Sequence, residues 1–485
     1  MSCDAVAAQW DDESWPWITD GLRHSWTLFP KAIRMRNAVL ALVLGICISP
    51  AFASSAAGTY SVSWPRADDV RIHVNAQLPT GDDRLGMAQS WPGDAEPVAS
   101  GGWPALVRNL TVRNQAGDAC TFVAKGSAGW QLAPACSGAL TIEYDVDYDS
   151  LRKAGWPAPR EAMFRDANAV ALVGRSLFIT RQGTGAARVT FALPRGWHVE
   201  TPWSPITRAT FMVPSNDDLT DNLIAFSDRT IPRWSTKDVD LHVLTFGVWR
   251  DRESTVRRTL QDALRRYVQS MPLPRRPPYL VILLPQNDTG GESFRASFAM
   301  NALLDGTREN AMAWQGRLAH EVFHYWNGWR LRGADYASSQ WFQEGFTEYM
   351  AATTLRQTDA VSSTEFAATF AEHLRTAGRL QTPLDTPGTH KGPPLYSGGA
   401  LVALSWDALI RQSTGGHRRM DDVFAALWRK TDRGARAYTW SDIRASLDEV
   451  APKVDWDALY ARYVSGDTRY TADEVASAVK VVSLH

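Results

Sequence analysis

The chain has almost no net charge: 51 Lys and Arg against 52 Asp and Glu leave a formal −1 at pH 7 over 485 residues. That balance gives no basis for nucleic acid or another polyanion as a partner. Long apolar runs are scarce too. Ala38 to Ile48, the run that stands out, is too short to cross a membrane comfortably. Histidine (10) and cysteine (4) are both sparse, so any metal site must draw on few residues. What the chain does have is 45% hydrophobic residues, enough for two or three domains with sizeable cores, and 21 Trp. Several Trp stand beside Pro or Gly (Trp64, Trp91, Trp103, Trp156, Trp197) and read as packing residues.

Lys31, Arg34 and Arg36 precede the Ala38–Ile48 run, and Ala51-Phe52-Ala53 follows it with small residues at the two positions a signal peptidase reads. This is the pattern of an export signal, with cleavage expected before Ser54 and a periplasmic or secreted product without a membrane span. Residues 1–34 lack periodicity and read as a surplus leader; Met1 and Met35 both remain candidate starts. Residues 1–53 are therefore assigned to leader and signal. Two cysteines remain, Cys120 and Cys136, and in an oxidising compartment they are expected to close a short disulfide loop.

From about residue 58 to 250 apolar residues alternate with period two, as in Val70, Ile72, Val74 and in Leu140, Ile142, Tyr144, Val146, Tyr148. Residues 54–250 are expected to form a β-sandwich-like domain that braces the remainder. Beyond it the period becomes helical: Val256, Leu260, Leu264, Tyr267, Val268 and Met271 make an amphipathic stripe. Tyr279–Leu284 reads as a buried strand, and helices are expected at 311–327, 341–356, 363–377, 399–412, 419–430 and 453–464. Residues 251–485 thus read as a mainly helical domain, in an order of elements that resembles a thermolysin-like catalytic domain.

The chemistry is concentrated in His320-Glu321-Val322-Phe323-His324 and Trp341-Phe342-Gln343-Glu344-Gly345-Phe346-Thr347-Glu348. Positions four apart share a helix face, so His320 and His324 can aim at one zinc ion. Glu321 then lies beside that site, where a carboxylate can deprotonate zinc-bound water. Glu344, on a separate helical stretch, offers the third ligand, which leaves one position open as catalytic zinc requires.

These two stretches resemble the glycyl aminopeptidase family of gluzincin metallopeptidases, in a clan with thermolysin and the aminopeptidase N family. The resemblance is specific over roughly residues 250–480 and general in the β half. It implies zinc held by His320, His324 and Glu344, with Glu321 as general base. Glu348, one turn after Glu344, is placed to hold a zinc histidine from behind. Tyr396, in Tyr-Ser-Gly-Gly-Ala, is similar to the catalytic tyrosine of aminopeptidase N relatives, with Gly398 in place of their lysine, and is the candidate oxyanion donor; His390 is the alternative.

Family members carry Gly-Gly-x-Glu-His before the zinc helix, and the clan's glutamate grips the substrate's free amine. This chain has Gly290-Gly291-Glu292-Ser293, with the glutamate one position early, a shift that turns a strand side chain to the opposite face unless a bulge absorbs it. Gly290, Gly291 and Glu292 are the candidate substrate-binding residues. The expected function is zinc-dependent hydrolysis of peptide substrates, aminopeptidase-like, with an endopeptidase or a noncatalytic zinc-containing envelope protein as alternatives. No oligomeric state follows from the sequence.

Overall fold

Alternation in the N-terminal half becomes strands in a computed structural model that describes residues 57–64, 66, 69, 71–87, 102–150, 162–285, 289–387 and 392–483. The signal and leader, and His390, lie outside these. Strands Gly58–Ser63, Arg71–Leu78, Val107–Asn114, Leu140–Asp147, Ala187–Ala192, Ser204–Pro205 and Thr210–Val213 form one seven-stranded sheet. Its burial alternates residue by residue: in Leu140–Asp147, Leu140, Ile142, Tyr144 and Val146 are buried while Glu143 is exposed. The inward face shares one core with two four-stranded sheets, in which Leu85, Trp130, Leu172 and Phe226 are buried. Cys120 and Cys136 are disulfide-bonded across a separation of 16 residues, a cross-link worth about 3 kcal/mol by loop closure.

The last sheet orders its strands Asp240–Thr245, Pro278–Leu284, Ser297–Asn301 and Gly290–Phe294. Both of its faces are covered. Val243, Val281, Leu283, Phe298 and Met300 face the helices, whereas Leu244, Leu280, Ile282, Leu284 and Phe294 pack on Ala171, Leu223 and Ala225 of the N-terminal half. That double burial explains why 279–284 is an unbroken apolar run. Asp240–Thr245 pairs in parallel with Pro278–Leu284. This sheet therefore begins before residue 250, where the periodicity changes, because the change marks the first helix of this half and not its first strand.

The helices are α1 (Asn216–Thr220), α2 (Glu253–Ser270), α3 (Arg308–Phe323), α4 (Tyr336–Gln340), α5 (Phe346–Gln357), α6 (Ser363–Ala377), α7 (Pro393–Ser413), α8 (Met420–Lys430), α9 (Trp440–Val450), α10 (Trp456–Tyr463) and α11 (Ala472–Ser483). Of these, α1 belongs to the N-terminal half and the rest to the C-terminal one, so the chain is a mostly-sheet domain followed by a helical C-terminal region. Several helices differ from the sequence expectation: the one expected at 311–327 ends at Phe323, the one expected at 341–356 is π-helical over its first five residues, and the short α1 and α4 were not expected. α7 begins at Pro393, not 399, because proline is tolerated in a first turn and Gly399 is needed inside the helix for packing. α9 and α11 were not expected, although Thr439 with Asp442 forms a capping box at the start of α9.

No described helix is long and apolar enough to cross a membrane. The helical core contains the stripe of α2: Val256, Leu260, Leu264 and Tyr267 are buried against α3 and α5, and Tyr267 donates to the Ala319 carbonyl at 3.2 Å. α3 is thereby seated between α2 and the edge of the sheet, with its C-terminal turns pointing into the protein.

Candidate metal centre

His320 lies in the last turn of α3 (Arg308–Phe323) and His324 in the turn that directly follows it, where its backbone N–H still donates to the His320 carbonyl at 3.3 Å and keeps the two side chains on one face. Their Nε2 atoms lie 2.9 Å apart, and Oε2 of Glu344 is 3.5 Å from the first and 3.3 Å from the second. One ligand atom from each of these residues lies within 4.8 Å of the others. His324 Nδ1 donates to the Asn327 carbonyl at 2.9 Å, which leaves the Nε2 lone pair for a ligand. His320 Nδ1 faces Glu348 Oε1 at 3.5 Å, so both imidazoles are held from behind. Two buried imidazole nitrogens and a carboxylate converging without another partner at their centre fit a metal ion of borderline character.

Glu344 reaches this point from a short π-helical segment, Trp341–Gly345, that precedes α5. Such a bulge re-aims one side chain relative to a regular helix and is frequent at functional sites. Asn327 ties the segment down. Its Nδ2 donates to the carbonyls of Phe342 (3.1 Å) and Gln343 (3.0 Å), joining the chain after α3 to the Glu344 element. Gly328 then turns the chain with φ 129°, a left-handed conformation that favours glycine.

Tyr396 is brought in by helix crossing. A Cβ on Gly345 would fall 2.3 Å from Gly399 Cα, and one on Gly399 would fall 2.2 Å from the Trp341 carbonyl oxygen, so α7 meets the π-helical segment backbone to backbone. One turn earlier on α7, the Tyr396 ring lies parallel to the His320 ring at 6.1 Å between centroids. Burial, and then the Glu344 charge, push its phenol well above the usual range, so it remains a donor.

The charges around the triad are balanced internally. Burial alone would raise the carboxyl pKa of Glu344, but the charge of His324 and hydrogen bonds from both histidines hold it well below the usual range. Glu348 follows the same logic, with His320 and Arg317 outweighing its burial. Arg317, which the sequence reading passed over, lies 3.8 Å from Glu321 and 3.6 Å from Glu348. Its position four residues before Glu321 on α3 was a legible signal.

Gly291 sits directly against Glu321: a Cβ at 291 would fall 2.1 Å from Glu321 Oε1. Glu292 is not brought to the metal residues. The strand Gly290–Phe294 pairs with Ser297–Asn301 without a bulge, so Glu292 takes the opposite face from Gly291. There it accepts a hydrogen bond from Arg175 Nη1 at 3.1 Å. Arg175 is 1% exposed, also donates to Asp221 at 3.2 Å, and stacks over Phe294. No local pattern could have paired residues 117 positions apart. Ser293, next along the strand, returns to the side of Gly291 and accepts from Trp329 Nε1 at 3.4 Å.

Comparison with known proteins agrees with this layout. Residues 59–228 match the model of the Peptidase M61 N-terminal domain, and residues 314–392 match that of M61 glycyl aminopeptidase. The β half, which resembled the family only in general character, is thus matched in its own right. No curated protein gives a significant match. The crystal structure of an aminopeptidase N family protein from Idiomarina loihiensis superposes with a TM-score of 0.70 at 17% identity, over 86% of this chain and 78% of that one. The two family matches together take in half of the sequence, one in each half of the fold, and the chain belongs to the M61 glycyl aminopeptidase family of peptidases.

Proposed function

We propose that the protein is an exported zinc metallopeptidase in which His320, His324 and Glu344 hold the metal and Glu321 is the general base. The observation that carries this reading is the convergence of His320 Nε2, His324 Nε2 and Glu344 Oε2 with Glu321 adjacent on the same helix. Zinc bound there would supply Lewis acidity to a carbonyl oxygen and make a water molecule more acidic.

The remaining work falls to the chain's own side chains. Glu321 takes a proton from the attacking water, whose oxygen forms the new bond to the peptide carbonyl carbon. Gly291, without a side chain, leaves the Glu321 carboxylate room to lie against the edge strand. The Tyr396 hydroxyl donates to the oxyanion as charge develops. Glu321 then passes its proton to the leaving nitrogen as the carbon–nitrogen bond breaks, giving a carboxylate and an amine. Glu348 orients His320, and Arg317 faces the carboxylates of both Glu321 and Glu348.

Export is supported by the signal pattern before Ser54 and by the Cys120–Cys136 disulfide, which persists in oxidising compartments. The test of the chemistry is Glu321→Gln in zinc-loaded protein. Retained zinc with loss of peptide hydrolysis is the expected result; hydrolysis at the unmodified rate would remove Glu321 as the base.

A further inference from the structure

Resting on the peptidase reading, we infer that the enzyme does not read a free substrate amine and cleaves internal or N-terminally blocked peptide bonds. The edge strand Gly290–Phe294 offers two side-chain positions toward α3, Gly291 and Ser293, and neither carries charge. The strand's carboxylate, Glu292, lies on the other face in an ion pair with the buried Arg175. Turning it toward a substrate would break this ion pair and take the Glu292 charge away from the buried Arg175 guanidinium.

The carboxylates beside the triad are committed as well. Glu321 and Glu348 both face Arg317, and Glu348 also faces His320. An ammonium ion brought to this region would meet the Arg317 cation between the two. Among the described residues, then, the carboxylates in contact with the triad are ligand, base or support, and none is left to pair with an α-amine.

A cavity lies on the Glu348 side of His320. It has a volume of about 670 Å³, opens beside Arg317 and Glu348, runs along the N-terminal half of α3 between apolar Met312, Leu355 and Phe366 and the carboxylates of Glu309, Glu365 and Glu372, and reaches Thr289 at the start of the edge strand. Cavities of roughly 300–1,000 Å³ enclose ligands of several residues' bulk, far more than a small terminal residue fills. A peptide that continues beyond the edge strand at Thr289 has room there for a large side chain.

The experiment is a matched pair of peptides with bulky apolar residues around the scissile bond, one with a free amino terminus and one acetylated, given to the zinc-loaded full chain. Values of kcat/KM within about threefold of each other are expected. A loss of 100-fold or more on acetylation would overturn the inference while leaving the metallopeptidase reading intact. Hydrolysis of neither peptide would remove both. Ser293→Glu places a carboxylate on the face of Gly291 and is expected to shift the ratio at least tenfold toward the free amine, with Glu292→Gln leaving the ratio where it was. A ratio that moves with Glu292→Gln and not with Ser293→Glu would return amine recognition to Glu292.

Discussion

Gly291 and Glu321 meet so closely that a single methyl group at 291 would overlap the carboxylate, 2.1 Å from Oε1 and 2.3 Å from the carboxyl carbon. Neither backbone can yield easily, because Glu321 is buried on α3 and Gly291 is paired with Met300 in the sheet. Gly291→Ala should therefore displace the carboxylate and lower kcat by about 10²-fold, within the range a general base contributes. His320, His324 and Glu344 are not touched, so zinc content should stay at that of the unmodified protein. Metal analysis beside steady-state kinetics checks both, and an unchanged kcat would show that Glu321 can act from another position.

Glu348 is predicted to control how tightly the metal is held. Its carboxylate faces His320 Nδ1 at 3.5 Å, on the side of the ring away from Glu344. Outer partners of this kind orient the imidazole and raise its basicity, and their loss typically weakens metal affinity about 10–100-fold. Glu348→Gln should show that loss in competition with a zinc chelator. Activity at saturating zinc should recover most of the way, and an affinity equal to that of the unmodified protein would reduce Glu348 to a partner of Arg317 alone.

The uneven legibility of this site has a physical origin. His320, Glu321 and His324 could be placed from spacing because helical periodicity fixes which side chains share a face, and Glu344 from the stretch Trp341–Glu348, which resembles the family's. The brace from Asn327 to the π-helical segment could not, since it depends on backbone carbonyls of a bulge with no sequence signature. Glu292 shows the same boundary: strand alternation indicated the face in doubt, but its partner Arg175 lies in the other half of the fold. The strand Asp240–Thr245 fell within the expected β half, 54–250, but pairs with Pro278–Leu284, a partner beyond that boundary which no local pattern identifies.

Tyr396→Phe is expected to separate transition-state stabilisation from binding. The ring would keep its parallel contact with His320. Only the hydroxyl, held protonated by burial and by the Glu344 charge, is removed. A lost oxyanion donor costs about 10²–10³-fold in kcat. KM and the thermal midpoint should change little, and a variant with more than half the original kcat would rule the hydroxyl out as the donor.

Metal binding and pH should be linked through His320. Burial by itself would lower its pKa, but the Glu348 charge and hydrogen bonds to Glu344 and Glu348 prevail and bring it from 6.5 up to about 9 in the metal-free site. A raised folded-state pKa stabilises the metal-free protein most below pH 6.5, and that contribution is lost as pH rises through about 9. Zinc takes the place of the proton on the same ring, so it does not suffer this loss and binds more tightly as the proton leaves. The gap in thermal midpoint between zinc-loaded and metal-free protein should therefore widen steadily from pH 6.5 to 9 at a fixed, chelator-buffered zinc activity. In Glu348→Gln the pKa falls back and the widening should be complete at lower pH. A gap independent of pH in the unmodified protein would mean that His320 carries no proton when the metal is absent.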